Sequence, residues 1–124
     1  MKLHMCSIHV SDPAHAHRFY TDVLGFQTVV EIPEHHVYVV RAPGQDVGLL
    51  LEPRSNPIAE AYASGLRAEN MPVIVLSTSD LDAEVVRLQS AGVEFVGGAF
   101  DDASGRHINF DDSVGNLVQL HQPA

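Results

Sequence analysis

The chain of 124 residues has no tryptophan, one cysteine, and only 7 lysines and arginines against 16 acidic residues. Each scarcity excludes something. A lone Cys6 cannot make an internal disulfide, so the fold must rest on its core, and the cytoplasm is the expected compartment. A formal net charge of −9 removes the basic patches that nucleic acid and anionic membranes require. No apolar run approaches the roughly 20 residues of a membrane span. Met1-Lys2-Leu3-His4 leads straight into a strand pattern and not into the apolar core of a signal peptide. Apolar residues make up 45% of the chain, normal for one globular domain, so disorder is not expected. The oddity is an excess, eight histidines.

What is present is a duplication. Val10-Ser11-Asp12-Pro13, running to Phe19-Tyr20-Thr21-Asp22-Val23-Leu24-Gly25-Phe26, is echoed by Thr78-Ser79-Asp80-Leu81, running to Leu88-Gln89-Ser90-Ala91-Gly92-Val93. The pairs Asp12/Asp80, Gly25/Gly92 and Pro53/Pro123 share an offset of about 68 residues, as a repeated supersecondary unit would give. Asp12 and Asp80 read as helix N-caps, with Pro13 at the first helical position. Gly25 and Gly92 read as left-handed helix ends. Strands are expected at Leu3–Val10, Phe26–Ile32, His36–Arg41 and Val47–Leu51. In the second half they are expected at Val73–Thr78, Val93–Val96, Arg106–Asp111 and Leu117–His121, with turns at Gly97-Gly98 and at Ser113–Asn116. The order is βαβββ twice: residues 1–53 form the first module, 54–71 a connector with a short helix over Ile58–Leu66, and 72–124 the second module.

Strand alternation separates two faces. Cys6, Ile8, Val10, Ile74, Leu76, Ile108, Phe110, Val118 and Leu120 are expected beneath helices. The opposite face mixes polar and apolar residues, as a ligand cleft does. Its apolar lining is expected from Met5, Leu49, Leu51, Val73, Val75 and Leu117. Ser7, His9, His107, Asn109, Gln119 and His121 are expected to orient a ligand. His9, His107 and His121 are the candidates for acid/base chemistry or for a histidine metal site. His4, His15, His17, His35 and His36 are expected at the surface. Cys6 reads as a small core residue, Phe19 and Tyr20 as packing, and Asp112 as a turn former.

The residues of the repeat resemble the glyoxalase/bleomycin-resistance/extradiol-dioxygenase superfamily, the vicinal oxygen chelate proteins. Phe19-Tyr20-Thr21-Asp22-Val23-Leu24-Gly25-Phe26 is similar to its FY-x-x-x-LGF helix ending. Ser79-Asp80-Leu81-Asp82 with Ala91-Gly92-Val93-Glu94-Phe95 is similar to its second-module helix. Phe110-Asp111-Asp112-Ser113-Val114-Gly115-Asn116 is similar to its F-x-D-P-x-G-N turn, with Ser113 in place of proline. The resemblance implies an α+β fold of two tandem βαβββ modules forming a curved mixed sheet with a central cleft, and a homodimer with open sheet edges to cover. It also implies that catalytic members hold a divalent metal on the first and last strands of each module. Carried over by position, those ligands fall at Met5, Leu49, Val73 and Gln119. Three of the four are apolar and offer no donor suited to such an ion.

Two functions follow. The first is a small-molecule binder needing no metal or other cofactor, similar to the drug-sequestering members, that takes an apolar or planar ligand. The second is a lyase, isomerase or dioxygenase that uses a relocated histidine metal site or histidine acid/base catalysis. A blander third option is a degenerate relative with an interaction role.

Overall fold

Asp12 is extended ahead of helix α1 (Pro13–Arg18), and its carboxylate accepts the His15 backbone N–H at 3.1 Å. That bond satisfies one of the amides a helix start leaves without a partner. Asp80 repeats the arrangement at α3 (Leu81–Ser90), accepting the Ala83 N–H at 3.0 Å. Gly25 and Gly92 follow the two helical segments at φ +83° and +85°, a conformation that glycine adopts without strain. The computed structural model describes residues 1–124 and so carries the sequence repeat into matching local structure.

The first helix does not remain α-helical. From Phe19 to Val23 it widens into a π-helical turn, in which the Leu24 N–H donates to the Phe19 carbonyl at 3.1 Å. Phe19 and Tyr20 both lie in the core.

The strands are β1 (Met5–Val10), β2 (Gln27–Ile32), β3 (Val37–Arg41), β4 (Gly48–Pro53), β5 (Pro72–Ser77), β6 (Phe95–Asp102), β7 (Gly105–Asp111) and β8 (Leu117–Pro123). They make two four-stranded mixed sheets, ordered β1-β4-β3-β2 and β5-β8-β7-β6. In each sheet the first and last strands of the module run parallel and the other pairs antiparallel. The chain divides into two compact units, Met1–Ala63 and Ser64–Ala124, with the boundary inside helix α2 (Pro57–Ala68) of the connector.

Each unit buries one face of its sheet. In the first, α1 packs on β3 and β4, and Ile8, Val10, Ala16, Tyr20, Val40 and Leu51 are fully enclosed. In the second, α3 packs on β8 over Leu81, Leu88, Phe110 and Val118, with Ile108 and Leu120 close by. Burying each such large side chain contributes roughly 1.5–3 kcal/mol.

Three expectations are corrected. Gly97-Gly98 is not a turn: it lies inside β6, where the pairing with β7 shifts between Val96 and Phe100. The turn comes later, at Ala103–Ser104, because Asp102 caps it. Its carboxylate accepts the Ser104 N–H at 2.8 Å, a local bond that stabilises a tight turn. Cys6 shares the parity of Ile8 but is exposed, since it stands near the start of an edge strand whose buried residues begin at Ile8. His17 is not a free surface residue. Its ring stacks on Tyr38 at 5.0 Å, and its Nε2 lies 2.7 Å from Thr28 Oγ1.

Candidate functional site

Strand register sets which residues line each exposed sheet face. In the second unit two rows cross all four strands. One runs Phe100, His107, His121, Ser77, and the other Val96, Asn109, Gln119, Val75. The sequence expectation for His107, Asn109, Gln119, His121 and Val75 therefore holds as to face. Val75 is 55% exposed, whereas Val73 is half-buried in a stretch where the β5–β8 register shifts. Leu117 has the parity of Gln119 but is buried, and it packs instead of lining the face.

The first row is a ladder of rings. Phe100 and His107 stack with centroids 4.8 Å apart and planes 16° from parallel; His107 and His121 stack at 4.4 Å and 13°. His107 is buried. Its two ring nitrogens face two acceptors, Nε2 at 3.0 Å from Asp102 Oδ1 and Nδ1 at 3.1 Å from Gln119 Oε1, so each N–H the ring carries has a partner. The Gln119 amide NH2 donates onward to Asn109 Oδ1 at 3.2 Å. His121 Nε2 lies 3.0 Å from the Ser104 carbonyl. A carbonyl can only accept, so in this contact Nε2 is the donor.

Asp102 closes the ladder from the β6–β7 turn. The Ser104 hydroxyl donates to its Oδ1 at 2.5 Å. That hydroxyl first, then the His107 ring N–H and the Ser104 amide, hold the Asp102 carboxyl well below the usual carboxylate range. The turn depends on Gly105, at φ +138°, where any Cβ would stand 2.0 Å from the Gln122 carbonyl oxygen. Beyond the ladder, Arg67 reaches Asp111 at 3.5 Å. As expected, buried Asp112 shapes the turn at 113–116, accepting the Val114 and Asn116 amides at 3.0 and 2.9 Å.

The first unit is built differently at the equivalent positions. Ser7 pairs with Leu50 and His9 with Glu52, as Val75 pairs with Gln119 and Ser77 with His121. Leu50 and Glu52 are thus the counterparts of Gln119 and His121. Leu49 and Leu51 pair with Cys6 and Ile8 and point into the core, at 9% and 0% exposure. This corrects their expected place in the ligand face. The face instead carries Met5, Ser7, Leu50 and Val39, and is mainly apolar. His9, half-buried, borders an open depression of about 410 Å³ with Asn56, Ile58, Ala59 and Tyr62.

The donor set does not suit the divalent ion that the fold implies. With the register corrected, the four positions are Met5, Leu50, Val73 and Gln119, and three of them have no ligating atom for such an ion. Gln119 has both amide atoms engaged, by His107 and Asn109. Nowhere do three His, Cys, Asp or Glu side chains gather as a metal needs. His107 and His121 come together as stacked rings, not as converging donors. The sequence reading missed Leu50, Glu52, Phe100, Asp102 and Ser104, while Ser77 lies on the open face where strand alternation put it. An unbroken run of leucines hides parity in β4, and the shifted pairing inside β6 hides Phe100.

The sequence profile of the Glyoxalase/Bleomycin resistance protein/Dioxygenase superfamily matches residues 2–120. The chain belongs to that superfamily. It is 33% identical over 126 residues to the uncharacterized protein YurT of Bacillus subtilis (strain 168), spanning 98% of this chain and 99% of YurT. Among solved structures it is similar to TnmS3, an antibiotic binding protein from Streptomyces sp. CB03234, with a TM-score of 0.80 and 28% identity over 100% of this chain and 97% of TnmS3. A superfamily member from Sphaerobacter thermophilus DSM 20745 gives 0.77 and 26%, over 98% of this chain and 97% of that one.

Proposed function

We propose that this protein binds a small apolar or planar molecule, of the antibiotic kind, without a metal. One observation carries the reading: the one possible donor at the metal positions, Gln119, is tied on both sides into a ladder of rings and amides. Such a surface recognises flat, partly apolar compounds through stacking and a few fixed polar contacts. The likeness to TnmS3, an antibiotic binding protein, supports the same ligand class. The working form is a homodimer in the cytoplasm. The open edges β1 and β5 and the exposed apolar Met5 and Val75 support pairing with a second copy. An exposed unpaired thiol at Cys6 suits a reducing compartment.

The test is a panel of planar and aliphatic antibiotics titrated into the protein with and without EDTA. Saturable binding, unchanged by EDTA, is the expected result. Binding that EDTA abolishes, or no binding across the panel, would refute the reading.

A further inference from the structure

The ring ladder stops one strand short of the sheet edge. Phe100, His107 and His121 occupy β6, β7 and β8, and the fourth place in their row is Ser77 on β5. Ser77 is exposed and carries only a hydroxymethyl group. The face of His121 turned away from His107 therefore looks onto a gap one ring wide, floored by Ser77. Val75 is the next residue on that face of β5 and pairs with Gln119. Two residues of strand extend the gap by roughly 7 Å. Its wall is the imidazole of His121 followed by the amide of Gln119.

We propose that this gap is a slot for a fused two-ring planar aromatic group, stacked on His121 with its far edge reaching along β5 toward the Gln119 amide above Val75. The proposal rests on the binding function above and names part of the ligand and its seat. The ring spacings of 4.8 and 4.4 Å follow the inter-strand repeat of about 4.8 Å, so a fourth ring in step falls over β5. The wall is held before any ligand arrives: His121 by the Ser104 carbonyl, and Gln119 by His107 and Asn109. Side chains already ordered lose little freedom on binding. A saturated bicycle is puckered, presents no π face and cannot extend the stack.

The probes are 2-naphthol and its saturated counterpart decahydro-2-naphthol, titrated into the full chain by calorimetry and by NMR of the histidine ring protons. The naphthol should bind more tightly and shift the His121 ring signals upfield. His121→Leu keeps apolar area but removes the stack, and should weaken naphthol binding roughly two- to tenfold. Ser77→Trp fills the slot and should weaken it at least tenfold. Ser77 is exposed, and an unchanged amide spectrum away from β5 verifies the fold of each variant. Naphthol that binds Ser77→Trp as well as wild type, or binds without moving His121, overturns the slot and leaves small-molecule binding standing. So does failure of naphthol on a chain that binds other planar compounds. No binding of any small molecule overturns both.

Discussion

Replacing His107 separates what its ring stacking contributes from what its hydrogen bonds contribute. His107→Ala removes two ring stacks, each worth about 0.5–1.5 kcal/mol. It also leaves the half-buried Gln119 amide short of one partner, about 1 kcal/mol. The contact to Asp102 faces solvent, where screening leaves ion pairs little net stability. The sum is about 3 kcal/mol. His107→Phe keeps a planar ring between Phe100 and His121 and loses only the polar partners, so about 1 kcal/mol is expected. Urea denaturation of each variant, followed by far-UV circular dichroism, gives the two differences directly. A gap of about 2 kcal/mol between Ala and Phe supports a stacked ladder. Equal losses, within about 0.5 kcal/mol, would show that the stacking contributes nothing to stability.

Four further outcomes are expected. Leu51→Ala should destabilise by about 3 kcal/mol and Leu50→Ala by about 1, because Leu51 is fully enclosed and Leu50 lies on the open face; the reverse order in a denaturant melt would undo the corrected register. Gly105→Ala should cost more than about 3 kcal/mol and lower Tm sharply, since its Cβ would meet the Gln122 carbonyl at 2.0 Å. Native Cys6 should react with Ellman's reagent without denaturant, and a thiol silent until unfolding would contradict its exposure. Asp102 has a folded pKa below its unfolded one, so its stabilisation is present above about pH 4 and is lost as pH falls below that value. Ser104→Ala removes the largest cause, and a carboxyl 13C titration should show the Asp102 pKa rising.

The sequence made the repeat legible because caps and helix ends have fixed chemistry. Asp12, Asp80, Gly25 and Gly92 each do what their residue type demands. The late strands of the second module were also readable, since Ile108, Phe110, Val118 and Leu120 alternate cleanly with His107, Asn109, Gln119 and His121. The last strand of the first module was not. Leu49-Leu50-Leu51 has no alternation, so only pairing with β1 decides which leucine faces out. Aligning the modules on Pro53 and Pro123 also fails by one residue, because β8 is one residue longer than β4. The ladder depends on a shifted pairing within β6 that brings Phe100 opposite His107, and no local propensity announces it. Cys6 shows that parity gives a face but not coverage: it shares the parity of Ile8, yet the start of this edge strand is exposed.

The proposed binding site is built from rings and amides around Gln119, one of the positions where the fold's catalytic members place a metal. The most direct measurement is elemental analysis of protein purified without a histidine tag, before and after soaking in zinc, iron, nickel and manganese. Substoichiometric metal is expected in every case, unchanged in His107→Phe and His121→Leu. About one ion per chain, lost when His107 or His121 is replaced, would contradict it and restore the histidine-centred enzyme.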